Sequence, residues 1–142
     1  MFELSESIRH YFEKAGWVPG NIPSEMPQSP REKAMALLSE FAGLEVGSVG
    51  AGIELAASDV CFYSELKPKA SELLKAWNKQ TGEVEAIATA HHDHIIVYVG
   101  AHGFYAFTDP DSKLYDLGPE FSSAMEKLLL GLNYGTAMAS SR

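Results

Sequence analysis

The amino-acid sequence predicts an α+β fold, helices packed against a largely antiparallel sheet, and three observations carry that prediction. Four short runs rich in β-branched and aromatic residues, 83–89, 95–99, 104–107 and 114–117, follow one another closely enough to form a meander. The breaks between the last three carry turn chemistry: Gly100 and Gly103 supply positive φ, and Asp109, Pro110, Asp111 and Ser112 form a proline-fixed turn. Stretches with helical apolar spacing flank this block instead of alternating with its strands, which excludes a doubly wound nucleotide-binding fold.

In chain order, Leu4, Ile8, Tyr11, Phe12 and Ala15 recur at helical spacing, so residues 5–15 form a first helix that Gly16 ends. Trp17, Val18, Pro19 and Gly20 turn the chain, and Ile22 to Gln28, with Pro23 and Pro27, forms an extended connector. Ser29, Pro30 and Glu32 supply an N-cap, a first-turn proline and a capping-box partner. Ala34, Leu37, Leu38 and Phe41 then share one helical face, and Gly43 stops this second helix.

Between Leu44 and Tyr63, the pieces 44–46, 53–55 and 60–63 read as short strands extending the sheet's edge. Pro68 opens a third helix with Ala70, Leu73, Leu74 and Trp77 on its apolar side and Gly82 as its stop. After the meander, residues 118–120 start a fourth helix carrying Phe121, Ala124, Met125, Leu128, Leu129 and Leu132. The helices before the meander are expected to cover one face of the sheet. Residues 1–132 form the predicted single domain, and 133–142 a tail expected to fray.

A chain of 142 residues can bury one ordinary core without disulfides or structural metal. Its 19 acids against 11 bases give a net charge of −8, which argues against nucleic-acid binding and suits a basic partner. One cysteine, Cys61, excludes an internal disulfide. The first residues lack a secretion signal and no apolar run is long enough for a membrane span, so the expected location is cytoplasmic, with no membrane partner.

Candidate chemistry is sparse. His91, His92, Asp93 and His94, with His102 further on, are the one cluster that suggests a metal. On a strand, His92 and His94 share a face while His91 and Asp93 do not, and two imidazoles need a third ligand. A solvated turn or partner-facing patch fits this cluster better than a metal centre. Cys61, between Val60 and Phe62, fits a packed thiol better than a nucleophile. The glycines at 47, 50 and 52 lack the Lys-Ser/Thr ending of a phosphate loop and mark bends. Glu83 and Glu85 alternate with apolar residues on one solvated strand side. Tyr98, Phe104, Tyr105, Phe107 and Tyr115 suit core and cross-strand positions, with Phe104 and Tyr105 on opposite faces.

Three passages in this order resemble the SUKH superfamily, specifically its SUKH-3 type of immunity protein. They are 15–20 (Ala-Gly-Trp-Val-Pro-Gly), 36–44 ending in Phe41, Gly43 and Leu44, and 97–105 leading through Tyr115 and Gly118 to 121–131. Asn21, where that family commonly has a basic residue, and the turn 101–103 depart from the pattern. The resemblance implies a non-catalytic domain, without cofactor, that binds and neutralises a bacterial toxin, such as a basic nuclease. Two alternatives stand beside it: a regulatory protein-interaction module of the SMI1/KNR4 type, and a small metal-dependent enzyme built on His91, His92, Asp93 and His94. Loop and strand-edge polar groups are the usual contact points on a rigid scaffold. The expected partner-binding residues are therefore Asp59, Glu65, His92, Asp93 and His102, with Trp17 as an aromatic anchor.

Overall fold

The computed structural model describes residues 4–18, 27–109 and 111–139. The turn at Pro19 and Gly20, Asn21, the connector around Pro23, Pro110 and the last three residues of the tail lie outside the described residues. The element order is α1 (Glu6–Lys14), α2 (Pro30–Phe41), β1 (Glu45–Val46), β2 (Val60–Phe62), a 3₁₀ helix (Pro68–Trp77), α3 (Asn78–Thr81), β3 (Val84–Ala90), β4 (Ile95–Gly100), β5 (Phe104–Thr108), β6 (Lys113–Gly118) and α4 (Phe121–Leu130). The strands form one six-stranded sheet in sequence order, and every neighbouring pair is antiparallel. The fold class is α+β as predicted. Among the described residues no helix is long and apolar enough to cross a membrane.

Local signals place the helices. Ser29 Oγ accepts the Glu32 N–H at 3.1 Å, the N-cap bond the sequence predicts, and the residues α2 buries are Ala34, Leu37, Leu38 and Phe41. α1 buries Ile8 and Phe12, and α4 buries Phe121, Ala124, Met125, Leu128 and Leu129. These three helices cover one face of the sheet. Aromatic rings from these helices and from β2 converge there: Phe41 lies 5.1 Å from Phe12, 5.2 Å from Phe62 and 5.4 Å from Phe121, centroid to centroid.

The other face is covered too, contrary to the expectation of a one-sided sheet. Leu74 and Trp77 of the 3₁₀ helix pack on Val84, Ala86, Tyr98, Tyr105, Phe107 and Leu114 in a second core. Alternation along the strands divides the two cores. Ile95, Val97 and Val99 face the α-helices, while Ile96 and Tyr98 face the 3₁₀ helix; Phe104 and Tyr105 likewise diverge. A bulge at Ile87 changes the parity of β3, so that Val84 and Ala86 serve the second core while Ile87, Ala88 and Ala90 serve the first.

Three further expectations are corrected. The third helix is 3₁₀ from Pro68 to Trp77 with a single α-turn after it, and Leu73, expected on its apolar side, is exposed. Residues 53–55 are not a strand: the N–H groups of Ile53, Glu54 and Leu55 donate to the carbonyls of Leu130 and Gly131 at 2.7 to 2.8 Å. They thereby cap the C-terminus of α4, where Gly131 is left-handed at φ 70° and an added Cβ would strike the Leu55 carbonyl. The glycine-rich segment is thus a helix cap. Finally, residues 133–139, expected as a tail apart from the domain, lie against it. Tyr134 packs on the first core and edge-on to Tyr115, the Met138 N–H donates to the Leu114 carbonyl at 2.7 Å, and Trp77 Nε1 donates to the Met138 carbonyl at 3.0 Å. This segment shields part of the β6 edge.

Candidate partner-binding surface

His91 to His94 form the turn between β3 and β4, the solvated turn that the sequence favours over a metal centre. His91, His92 and Asp93 are left-handed in succession, with φ of 52°, 53° and 70°. Each such non-glycine residue costs roughly 1 kcal/mol or more, so something outside the turn must hold it. Asp59, just before β2, does so. Its carbonyl accepts the His91 N–H at 3.3 Å, and its Oδ1 accepts the His92 N–H at 3.1 Å. Ser58 Oγ and His91 Nδ1 share a 3.3 Å hydrogen bond, and the His94 carbonyl accepts the Asp109 N–H at 2.9 Å.

The turn splays its imidazoles apart. The His91 ring centroid is 6.4 Å from those of both His92 and His94, and the His92 side chain is 72% exposed. Among the described residues no group of three His, Cys, Asp or Glu side chains converges in a metal-binding arrangement.

Next to this turn, the register aligns Glu45, Cys61, Thr89 and Ile96 across β1 to β4, so their side chains share one face. It is the face that the 3₁₀ helix covers further along the sheet, but here Cys61, Thr89 and Ile96 remain half-exposed and Glu45 exposed. Cys61 shows what surrounds it. Burial pushes its thiol pKa up, and the carboxylates of Asp59, Glu45 and Asp93 push it further, as does the contact of Sγ with Asp59 Oδ2 at 3.9 Å. A thiol kept protonated in this way is a poor nucleophile. Burial, with Asp93 adding, also raises the Tyr63 hydroxyl. The result is a half-open sheet patch bordered by three carboxylates, with His92 3.9 Å from Asp59 and Lys67 Nζ 5.5 Å from the centre of the Tyr63 ring.

No protein-family model, curated protein or solved structure matches this chain. Any functional reading therefore stands on the residues themselves.

Of the six residues singled out from sequence, the fold brings together Asp59, His92 and Asp93. Glu65 sits on the loop after β2, 3.8 Å from Lys67 Nζ, beside a shallow groove lined by Met35, Leu38 and Leu66. His102 lies in the β4–β5 turn at the other end of β4, where Lys33 Nζ donates to the carbonyls of Gly100 and Ala101 at 3.1 and 2.9 Å. Trp17 is 5% exposed, packs on Phe12 and Phe41 and donates from Nε1 to Glu40 at 2.6 Å. It is a core residue and offers no anchor to a partner. Sequence reasoning missed Glu45 and Tyr63, and it took Cys61 only as a packed thiol. The signal for Glu45 is weak: its alternation with Val46 marks it as outward-facing, but only the β1–β2 register shows that it borders Cys61.

Proposed function

We propose that this chain is an immunity protein that binds a basic toxin protein in the cytoplasm and neutralises it by occupancy, with no bond-making of its own and no cofactor. The observation that carries the reading is the patch around Cys61. Glu45, Asp59 and Asp93 gather at a half-open part of the sheet, next to a turn that Asp59 holds in a costly conformation. A rigid acidic surface speeds encounter with a basic partner and disfavours acidic ones. The net charge of −8 acts in the same direction at longer range. The likeness of residues 15–20, 36–44 and 97–131 to SUKH-3 immunity proteins supports the same reading.

Splayed imidazoles and a protonated thiol favour binding over the metal-dependent chemistry considered for residues 91–94. The test is co-expression with the toxin encoded by a neighbouring gene. Growth rescued by the wild-type chain, and lost with Glu45→Lys/Asp93→Lys at equal protein level, supports the reading. Killing undiminished by the wild-type chain refutes it. Capture of a host regulatory protein in place of a toxin would point to the interaction-module alternative.

A further inference from the structure

At the opposite end of β3 from the His91–His94 turn, a cleft of about 360 Å³ opens between the start of α2, the 3₁₀ helix and the first residues of β3. That volume is at the small end of ligand-binding pockets. Pro30, Pro68 and the buried Leu74 and Val84 give the cleft apolar walls. Ser71 Oγ donates to the Val84 carbonyl at 2.8 Å, so this stretch of sheet edge is already satisfied.

Five charged side chains line the same cleft: Arg31 from α2, Glu72 and Lys75 from the 3₁₀ helix, and Glu83 and Glu85 from the β3 side. Among the described residues none of the five is in an ion pair, although both signs are present. They reach the cleft from three separate elements. On the 3₁₀ helix residues three apart eclipse, so Pro68, Ser71 and Leu74 form one row while Glu72 and Lys75 lie side by side in another. In an α-helix the same residues would fan by about 60° per step.

We propose that this cleft binds a free basic amino acid of the arginine or lysine class. Three carboxylates and two cations leave the site one negative charge. A guest with two cationic groups, one carboxylate and an apolar stem complements that set group by group. Arg31, whose planar fork suits a carboxylate, and Lys75 receive the anionic end. Glu72, Glu83 and Glu85 receive the cations, and the stem lies along the prolines, Leu74 and Val84. This proposal does not depend on the toxin-binding reading.

The test is a titration of the full chain followed by amide chemical shifts, with L-arginine, L-lysine, agmatine, L-norleucine and L-glutamate as the probes. Shifts centred on Ser71, Glu72, Lys75, Val84 and Glu85 with arginine or lysine are expected. Agmatine, lacking the carboxylate, and norleucine, lacking the side-chain cation, should bind roughly tenfold or more weakly, the worth of one lost charged hydrogen bond. Glu85→Gln and Arg31→Gln should each weaken arginine binding to a similar degree. No shift in the cleft with arginine or lysine overturns the proposal. Agmatine binding as tightly as arginine also overturns it, leaving a site for a bare side-chain cation. The wild-type probe series decides the matter even if a variant fails to fold.

Discussion

The two faces of the sheet are buried by different means. One carries three amphipathic α-helices whose apolar stripes close over a cluster of phenylalanines, with Phe41 in contact with Phe12, Phe62 and Phe121. The other carries a 3₁₀ helix and Met138, and its cover thins along the row Ile96, Thr89, Cys61 and Glu45. The first face is committed to stability. The second divides its area between a smaller core and a surface left open for contact, the arrangement expected where a rigid scaffold presents a binding patch.

That contrast can be broken or sharpened by mutation. The largest effect is expected on the helical face: Phe41→Ala should cost about 3–5 kcal/mol in chemical denaturation, because no helix can collapse into the space left among four rings. On the thinner face, a chain ending at Gly135 should lose about 2 kcal/mol, since it removes the bond to Leu114 and the acceptor of Trp77 Nε1. Trp77 fluorescence should shift to the red, while Trp17, buried on the other face, should not respond.

Asp59→Ala should cost about 1–2 kcal/mol and speed hydrogen exchange at His92, whose N–H loses its acceptor. If His92 exchange is unchanged, Asp59 is not what holds the turn. The smallest effect is expected for Tyr98→Phe, about 1 kcal/mol, for the lost 2.7 Å bond from the Tyr98 hydroxyl to the Ala70 carbonyl. Burial, with Tyr63 adding, raises the Tyr98 hydroxyl well above the usual tyrosine range. Above about pH 10 the unfolded chain therefore releases this proton before the folded one does, and stability falls as pH rises. Tyr98→Phe should flatten that alkaline decline.

What was legible in the sequence follows how local its cause is. Ser29 caps α2 through a bond three residues away, and the stripe Ala34, Leu37, Leu38 and Phe41 lies within one helix; both were readable. Asp59, His92 and Asp93 were chosen individually, but their meeting depends on β2 pairing with the end of β3. The break between the runs 83–89 and 95–99 was readable as a turn, but not its left-handed backbone, which a carboxylate 33 residues away holds. Residues 53–55 alternate like a strand yet cap α4, because the carbonyls they satisfy come from the far end of the chain. Pro68 to Trp77 fits a 3.6-residue period about as well as a period of three over so short a length, and packing on the sheet decides in favour of 3₁₀. Trp17 carried no sequence signal to separate core from surface.

The most direct test is the affinity of the purified chain for the toxin encoded by a neighbouring gene. It should be compared among wild type, Glu45→Lys/Asp93→Lys, and Asp111→Lys as a charge reversal away from the patch, in the β5–β6 turn. The acidic patch predicts that the double variant binds at least about tenfold more weakly, a loss of ~1.4 kcal/mol or more, while Asp111→Lys stays near wild type. Equal affinity across all three would contradict it.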